Sequence, residues 1–211
     1  MTRLTCAAVV VAALAFAAVA DAGTVRFGSS LKPAANHIRS APVDTVYWSK
    51  GFANGNKHKV PAKGRIEAVK IKGKAIKRGG QKPVNLFHIQ VLRPVGDGRL
   101  QVKVTSGNFH LPYTGSADQV NTYHPVNLCV RKGDYVGFSH VGGYRAGSYP
   151  QGTPWKIFSD PLPGSITGSF TGAGKDNNGD IFRGNKTPGQ ELLMRMVEVT
   201  DLKPGSYCAT H

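Results

Sequence analysis

VNLFHIQVLR (residues 84–93), PVGDG (94–98) and RLQVKVT (99–105) are three consecutive segments near the middle of this chain. Apolar and polar side chains alternate in the first and third segments, which is the two-residue period of a half-buried β-strand. Between them, the pair Asp97-Gly98 tolerates the positive φ angles of a tight turn. The three segments therefore predict a β-hairpin and indicate an antiparallel β protein.

Further alternating runs lie on both sides of this hairpin and are separated by turn residues. They are VDTVYW (43–48), RIEAVKIKGKAI (65–76), VNLCVR (126–131), DYVGFSHV (134–141) and ELLMRMVEVT (191–200). The last run is apolar on both faces, which is typical of a central strand covered on each side. Glycine and proline are scattered along the chain, so no linker divides it. We predict an all-β domain, an antiparallel two-sheet β-sandwich of eight to nine strands in jelly-roll or Greek-key order.

Residues 1–22 have the three parts of a secretory signal peptide. Arg3 gives the positive start, residues 7–20 form an almost unbroken apolar run, and Ala20-Asp21-Ala22 is a cleavage pattern. This run is shorter than the roughly 20 residues that cross a bilayer, so we expect no membrane span. The predicted protein is secreted, and is extracellular or cell-wall associated. Its predicted parts are a signal peptide (1–22), an N-terminal extension (23–42), a β-sandwich domain (43–200) and a C-terminal tail (201–211).

Two of the three cysteines, Cys129 and Cys208, remain once a signal peptide is removed. An even pair in an oxidising compartment favours a disulfide, here between the C-terminal tail and a central segment. Two unrelated thiols, one buried and one in the tail, are the alternative interpretation.

The chain is strongly basic, with a formal net charge of +15. Ten Lys and Arg residues lie within residues 57–82, where Glu67 is the one acid. Charge of this density attracts polyanions. The predicted ligand-binding lysines are Lys57, Lys59, Lys63, Lys70, Lys72 and Lys74. The alternative is that the alternation along residues 65–76 puts Lys70, Lys72 and Lys74 on a solvated strand face, which needs no ligand.

Four segments together resemble the pattern of a known family. They are VPAKGRI (60–66), IQVLRP (89–94), VNLCVRKGDYVGF (126–138) and ELLMRMVEV (191–199). In this order they resemble an uncharacterised family of secreted, jelly-roll-like β-sandwich proteins from high-GC soil bacteria, and the resemblance covers roughly residues 43–200. It implies a fold and a compartment and no reaction. The chain departs from the family pattern by its high basic charge and by the tail after residue 200.

A glycine-rich loop, GGYRAGSYPQG (142–152), places aromatic and polar side chains close together. Planar rings beside amides and charges are surfaces on which sugar rings stack, so this loop predicts carbohydrate binding. The predicted platform residues are Tyr144, Arg145, Tyr149 and Trp155. The alternative is that these aromatic side chains cap the ends of the sandwich core.

The sequence carries no complete catalytic or metal-binding pattern. No G-x-S-x-G elbow occurs, and Ser139 and His140 are adjacent on a predicted strand, so their side chains point to opposite faces. The histidines lack H-x-H and H-x₃-H spacing. Asp176, Asn178 and Asp180 match the first ligands of a calcium loop, but a tight turn explains them equally well. We therefore predict neither an enzyme nor a resident metal or cofactor.

The combined prediction is a secreted, non-catalytic binding module. Its expected ligand is an extracellular anionic polymer, such as a cell-wall polysaccharide or another polyanion, without specific recognition of nucleic acid. The alternative is a structural or interaction protein of the cell envelope or spore surface that has no small ligand. An exposed aromatic shelf would favour the first hypothesis, and a flat apolar face would favour the second. Paired carboxylates in a cleft would instead indicate a hydrolase.

Overall fold

The structure is a computed structural model that describes residues 23–80, 82–141, 143–144, 151–172, 174–175 and 177–210, with backbone alone at residues 143, 144, 151, 209 and 210. The predicted signal peptide, residues 1–22, lies outside this range. In the described part of the chain, no helix is long and apolar enough to cross a membrane.

The described residues form antiparallel β-structure with a single short helix, α1 (Tyr207–Thr210). The strands are β1 (Thr24–Gly28), β2 (His37–Arg39), β3 (Thr45–Gly51), β4 (Gly64–Lys72), β5 (Lys74–Ala75), β6 (Leu86–Pro94), β7 (Arg99–Thr105), β8 (Phe109–His110), β9 (Val120–Tyr123), β10 (Cys129–Val130), β11 (Tyr135–His140), β12 (Gly143–Tyr144), β13 (Gln151–Gly152), β14 (Trp155–Ser159), β15 (Ile166–Thr171), β16 (Ile181–Arg183), β17 (Asn185–Pro188), β18 (Glu191–Leu192) and β19 (Met194–Val199).

The strands form two main curled sheets and two smaller ones. One main sheet has the order β1-β19-β4-β10, with β9 also paired to β4. The other has the order β16-β7-β6-β11-β3-β15-β17, with β8 paired to β6. A third sheet, β18-β14-β2 with β5 beside β14, and the pair β12-β13 complete the fold. The all-β, sandwich-like class is therefore confirmed, and strands β1 and β2 show that residues 23–42 contribute to the sheets.

The predicted number of eight to nine strands is wrong, because several long runs are divided. Residues 65–76 were expected to form one strand, but Gly73 separates β4 from β5. Gly73 has φ +134°, and a Cβ there would lie 2.1 Å from the carbonyl oxygen of Lys156. The chain therefore leaves the first main sheet at this glycine, and β5 pairs with β14 instead.

The central hairpin is confirmed. Strands β6 and β7 pair antiparallel, and Asp97 and Gly98 have φ of 49° and 70°. The register shifts between Val91 and Leu92, and these adjacent residues face different apolar clusters because side chains alternate along a strand. The predicted last strand, residues 191–200, is divided into β18 and β19, and β19 lies centrally between β1 and β4.

Two apolar clusters hold the sheets together. The larger one includes Ile89, Val91, Val136, Phe138, Met194 and Met196. The smaller one includes Trp48, Leu92, Val102 and Phe182. Gly168 and Gly184 make room for Trp48, since a Cβ at either position would lie within 2.4 Å of its ring. Both faces of the eight-stranded sheet are therefore packed.

A disulfide joins Cys129 to Cys208, with the two Cα atoms 5.2 Å apart. It attaches α1 to β10 across a sequence separation of 79 residues. Breaking it is expected to lower the free energy of unfolding by about 4 kcal/mol, because the bond restricts the unfolded chain. Denaturant unfolding of the oxidised protein and of a Cys129→Ser/Cys208→Ser variant measures this difference. Equal midpoints and slopes would contradict the expectation.

The side chain of Glu198 is buried, and neither carboxylate oxygen has a hydrogen-bond partner among the described residues. Burial raises the pKa of Glu198 to about 7 from an ordinary value of 4.5. The folded state therefore keeps the proton that the unfolded chain releases, and stability falls as pH rises from about 4.5 to about 7. By contrast, the buried Glu191 accepts hydrogen bonds from Ser29 Oγ at 2.6 Å and Ser165 Oγ at 2.9 Å.

The Glu198→Gln variant is expected to be more stable than the natural protein at pH 8, by up to about 3 kcal/mol, and nearly equal to it at pH 4.5. Glu191→Gln, the matched control at a hydrogen-bonded carboxylate, should instead lose stability at pH 8. Thermal or denaturant unfolding between pH 4.5 and pH 8 measures both. A pH-independent difference for Glu198→Gln would contradict the titration of this group in the folded state.

Candidate functional site

An extended loop at residues 56–60 runs between the two main sheets. At one end the Gly28 amide donates to the carbonyl oxygen of Lys57 at 2.9 Å. At the other end the Val60 amide donates to the carbonyl oxygen of Asp134, also at 2.9 Å. Between these points His58 is half-buried and stacks on Tyr135 with ring centroids 5.9 Å apart. Lys57 and Lys59, the residues before and after His58 in the sequence, are both exposed.

Lys57 lies at a first cleft, an open depression of about 540 Å³ at the end of β1. Its basic lining residues are Arg26, Lys32, Lys57 and Arg195, and no acidic residue lines it. Arg195 is partly committed to the fold, because its guanidinium donates to the carbonyl oxygens of Ser29, at 3.0 Å, and Ser30. The remaining cations give the first cleft a positive potential.

Lys59 lies at a different depression. We call this depression, which has a volume of about 370 Å³, the third cleft. Arg93, Arg131 and Lys132 also line it. It shares Arg93 and Arg131 with a second cleft of about 450 Å³. The second cleft adds Lys103, Asn127, Asn178 and Tyr207. The two clefts are therefore neighbours, with Arg93 and Arg131 at their common border.

Asp134 is the one acid among the residues that line the second and third clefts. Its buried carboxylate accepts two hydrogen bonds from Arg93, Nε to Oδ1 at 2.9 Å and a terminal nitrogen to Oδ2 at 2.8 Å. The Arg131 amide also donates to Oδ2 at 2.8 Å. This bidentate pair neutralises Asp134 and fixes the plane of the Arg93 guanidinium.

Like charges crowd the surroundings of Lys59. Partial burial lowers the pKa of Lys50 below its usual value, and the positive charges of Lys186 and Lys59 lower it further. The pKa of His58 is also lowered, first by partial burial and then by Lys59 and Lys50. These cations repel one another, and a bound anion would reduce that repulsion.

The predicted binding lysines lie in different surroundings in the structure. Lys57 and Lys59 line clefts, and Lys70 is half-buried as the cross-strand neighbour of Arg195, which lines the first cleft. Lys63 is exposed just before β4. The six lysines do not converge on one surface.

The prediction of a solvated face is wrong for Lys72, which is buried. Its Nζ atom donates to the carbonyl oxygens of Leu31 at 3.3 Å and Pro33 at 2.8 Å, and lies 3.1 Å from Asp118 Oδ1. Lys74 donates to the carbonyl oxygen of Gly115 at 2.7 Å. Loops from distant parts of the sequence therefore cover this end of β4 and β5, and both lysines bind them.

The proposed sugar platform does not extend to Trp155, which is fully buried in the larger cluster. The indole Nε1 donates to His140 Nδ1 at 2.5 Å, and the ring contacts Phe138 edge-on with centroids 5.1 Å apart. Burial lowers the pKa of His140 to about 4, so the imidazole is a neutral partner of the indole. Trp155 is a core residue because β14 lies inside the fold, between β2 and β18. The side chain of Tyr144 and the whole of Arg145 and Tyr149 lie outside the described residues.

The calcium-like segment is a hydrogen-bonded turn where it is described. Asp176 lies outside the described residues. Asn178 Oδ1 accepts from the Thr105 hydroxyl at 2.9 Å, and Asp180 Oδ2 accepts from the Asn177 amide at 2.9 Å. Within the described ranges, no group of three or more His, Cys, Asp or Glu side chains is placed to hold a metal ion.

Sequence reasoning missed most of the cleft residues. They are Arg26, Lys32, Arg93, Lys103, Arg131, Lys132, Arg195 and Tyr207. These residues come from separate segments, so a count of charge along the chain does not detect them. One available signal was the RKGD turn at residues 131–134, whose acid is preceded by two cations.

No protein-family model, curated protein or solved structure matches this chain. The resemblance to secreted β-sandwich proteins of high-GC soil bacteria therefore stays a prediction. The features of the molecule that bear on its function are the clefts, their charges and the loop at residues 56–60.

Proposed function

We propose that this protein is a secreted, non-catalytic binding module for an extracellular anionic polymer, such as a cell-wall polysaccharide. One observation carries the proposal: the loop at residues 56–60 joins two sets of basic clefts in which a single acid, Asp134, is already paired with Arg93. We call this surface the basic track. Its members are Arg26, Lys32, Lys57, Lys59, Arg93, Lys103, Arg131 and Lys132.

The layout of the basic track favours a polymer over a small anion. The Cα atoms of Lys57 and Lys59 are at most about 7 Å apart, and the two residues line different clefts. A chain with repeating negative charges can contact both clefts, whereas a single small anion occupies one. The net charge of +15 adds long-range attraction, which guides such a polymer to the surface.

Three carboxylates that are held by hydrogen bonds or ion pairs support a non-catalytic role. Glu191 is held by two serine hydroxyls, Asp134 by Arg93, and Asp118 by Lys72. Glycoside hydrolysis commonly needs two carboxylates on either side of the scissile bond. Asp134 alone, in a bidentate ion pair, does not supply that chemistry.

The compartment and the finer fold belong to the same proposal. Residues 1–22 have the pattern of a secretory signal, and the Cys129–Cys208 disulfide accords with an oxidising environment. We assign the two main sheets to a jelly-roll-like sandwich.

An envelope or spore structural protein would need a flat apolar face, but the exposed large apolar side chains lie on separate elements. These are Ile38, Val84, Val120, Val126 and Ile181.

The first test removes charge from the basic track. In the triple variant Lys57→Gln/Lys59→Gln/Lys132→Gln, the affinity for dextran sulfate at low salt is expected to fall by at least about tenfold, and the slope of log affinity against log salt should flatten by about 2 to 3. The melting temperature should change little, since exposed charges contribute little to folding. Titration at several salt concentrations measures both quantities.

The matched control removes the same charge elsewhere, in Lys77→Gln/Lys82→Gln/Lys175→Gln. These three lysines are exposed and line none of the three clefts. This variant should bind within about twofold of the natural protein. If both triple variants lose affinity equally, net charge alone attracts the polymer and the basic track is not a site.

The second test uses His58. A bound polyanion would offset the positive charges of Lys59 and Lys50, and would raise the lowered pKa of His58. Binding then takes up a proton, so affinity for dextran sulfate should increase as pH falls below the ordinary histidine value of 6.5. In His58→Gln this increase should largely disappear, whereas His124→Gln, at an exposed histidine, should retain it. An identical pH dependence in both variants would contradict this role.

A further inference from the structure

We propose that the second cleft is a subsite for a uronic-acid residue, a six-membered sugar ring that carries a carboxylate, and that Tyr207 is the platform on which this ring stacks. The inference rests on the proposed function and names the class of polymer. It joins three observations: an exposed aromatic ring, a set of cations and two side-chain amides, all at one cleft.

The aromatic ring is the first observation. Tyr207 is 54% exposed although its neighbour Cys208 is buried, so the ring stands at the surface beside Arg93, Lys103 and Arg131. An exposed ring of this size gains by covering its apolar face, and the C–H face of a pyranose is flat and apolar. A linear phosphate polymer without rings has no such face to offer.

The cations and amides are the second and third observations. Arg93 is held in place by Asp134, and Lys103 and Arg131 are exposed, which suits recognition of a carboxylate. Asn178 accepts from Thr105 through Oδ1, so its Nδ2 atom is available to donate to a ligand oxygen. Asn127 lies on the same wall with φ +54°, a conformation that asparagine tolerates. Sugar hydroxyls are natural partners for such amides.

The dimensions agree with a subsite of one or two sugar rings. The cleft has a volume of about 450 Å³. Small-molecule sites commonly measure roughly 300 to 1,000 Å³. The third cleft borders it at Arg93 and Arg131, so the rest of a polymer chain can lie along the basic track.

The disulfide is what holds the platform at the cleft. Cys129 itself lines the second cleft, and its bond to Cys208 fixes α1 at the residue next to Tyr207. Reduction removes this covalent attachment, so it should weaken the hold on the ring while the clefts lined by β6 and β7 persist.

A single-stranded nucleic acid is the competing ligand, because bases also stack on aromatic rings. Such ligands are usually bound by several successive aromatic side chains along a basic groove. The described lining of the second and third clefts contributes one aromatic residue, Tyr207. The observations therefore favour the sugar, and the nucleic acid becomes an arm of the test.

The test measures binding of tetragalacturonate, a neutral cello-oligosaccharide of equal length, and an oligothymidylate to the oxidised full chain. Tyr207→Ala should weaken tetragalacturonate binding by about tenfold, whereas Tyr207→Phe, which keeps the ring, should stay within about twofold. Reduction of the disulfide should reproduce the loss seen in Tyr207→Ala. The neutral oligosaccharide should bind at least about tenfold more weakly than tetragalacturonate, because it lacks the carboxylates.

Inorganic polyphosphate, which carries negative charges but no sugar ring, separates this inference from the proposed function. Tyr207→Ala should bind polyphosphate within about twofold of the natural protein, because the basic track is intact. If polyphosphate binds through the track but tetragalacturonate is indifferent to Tyr207→Ala, the uronate subsite is wrong and the proposed function stands. Equal losses in Tyr207→Phe and Tyr207→Ala would also overturn the stacking role. Tighter, Tyr207-dependent binding of oligothymidylate would assign the cleft to nucleic acid.

Discussion

The ion pair between Arg93 and Asp134 holds together the segments from which the clefts are built. The Asp134 carboxylate receives Arg93 from β6 and the Arg131 amide from its own turn, while the Asp134 carbonyl oxygen receives the Val60 amide. One residue thus connects the eight-stranded sheet, the turn before β11 and the loop at residues 56–60. Loss of the Arg93 charge would leave the buried Asp134 carboxylate without its ion-pair partner.

The basic residues of this chain have two different roles. Lys72 and Arg195 bind carbonyl oxygens of residues 29–33, so their charges fasten the segment after β1 to the five-stranded sheet. Lys57 and Lys59 line the clefts instead, and the Lys59 ammonium lies over the Tyr135 ring, 5.2 Å from its centroid. A high net charge is therefore only partly a binding signal, because some cations replace the hydrogen bonds that irregular backbone would otherwise lack.

The sequence allowed prediction of features that depend on short-range pattern. The β6–β7 hairpin follows from alternation and a Gly-containing turn, and the disulfide follows from two cysteines in a chain that is predicted to be exported. The position of Lys72 could not be predicted, because its partners are contributed by residues 31, 33 and 118. Trp155 was similarly beyond local pattern, since its burial depends on β14 lying between strands distant in sequence. Periodicity specifies which side chains share a strand face, but not which loop covers that face.

The clefts themselves follow from the way in which the sheets end. Strands β6 and β7 supply Arg93 and Lys103, the edge strand β10 supplies Cys129, and the tail returns through the disulfide to supply Tyr207. A rim built in this way is rigid where the ion pair and the disulfide fix it. Rigid cations lose little conformational entropy on binding, so a modest number of them would suffice for the flexible polymer that we propose. The one acid among the residues that line the second and third clefts, Asp134, is enclosed by Arg93 and by the main-chain amide of Arg131, so it offsets little of the positive charge that a ligand meets.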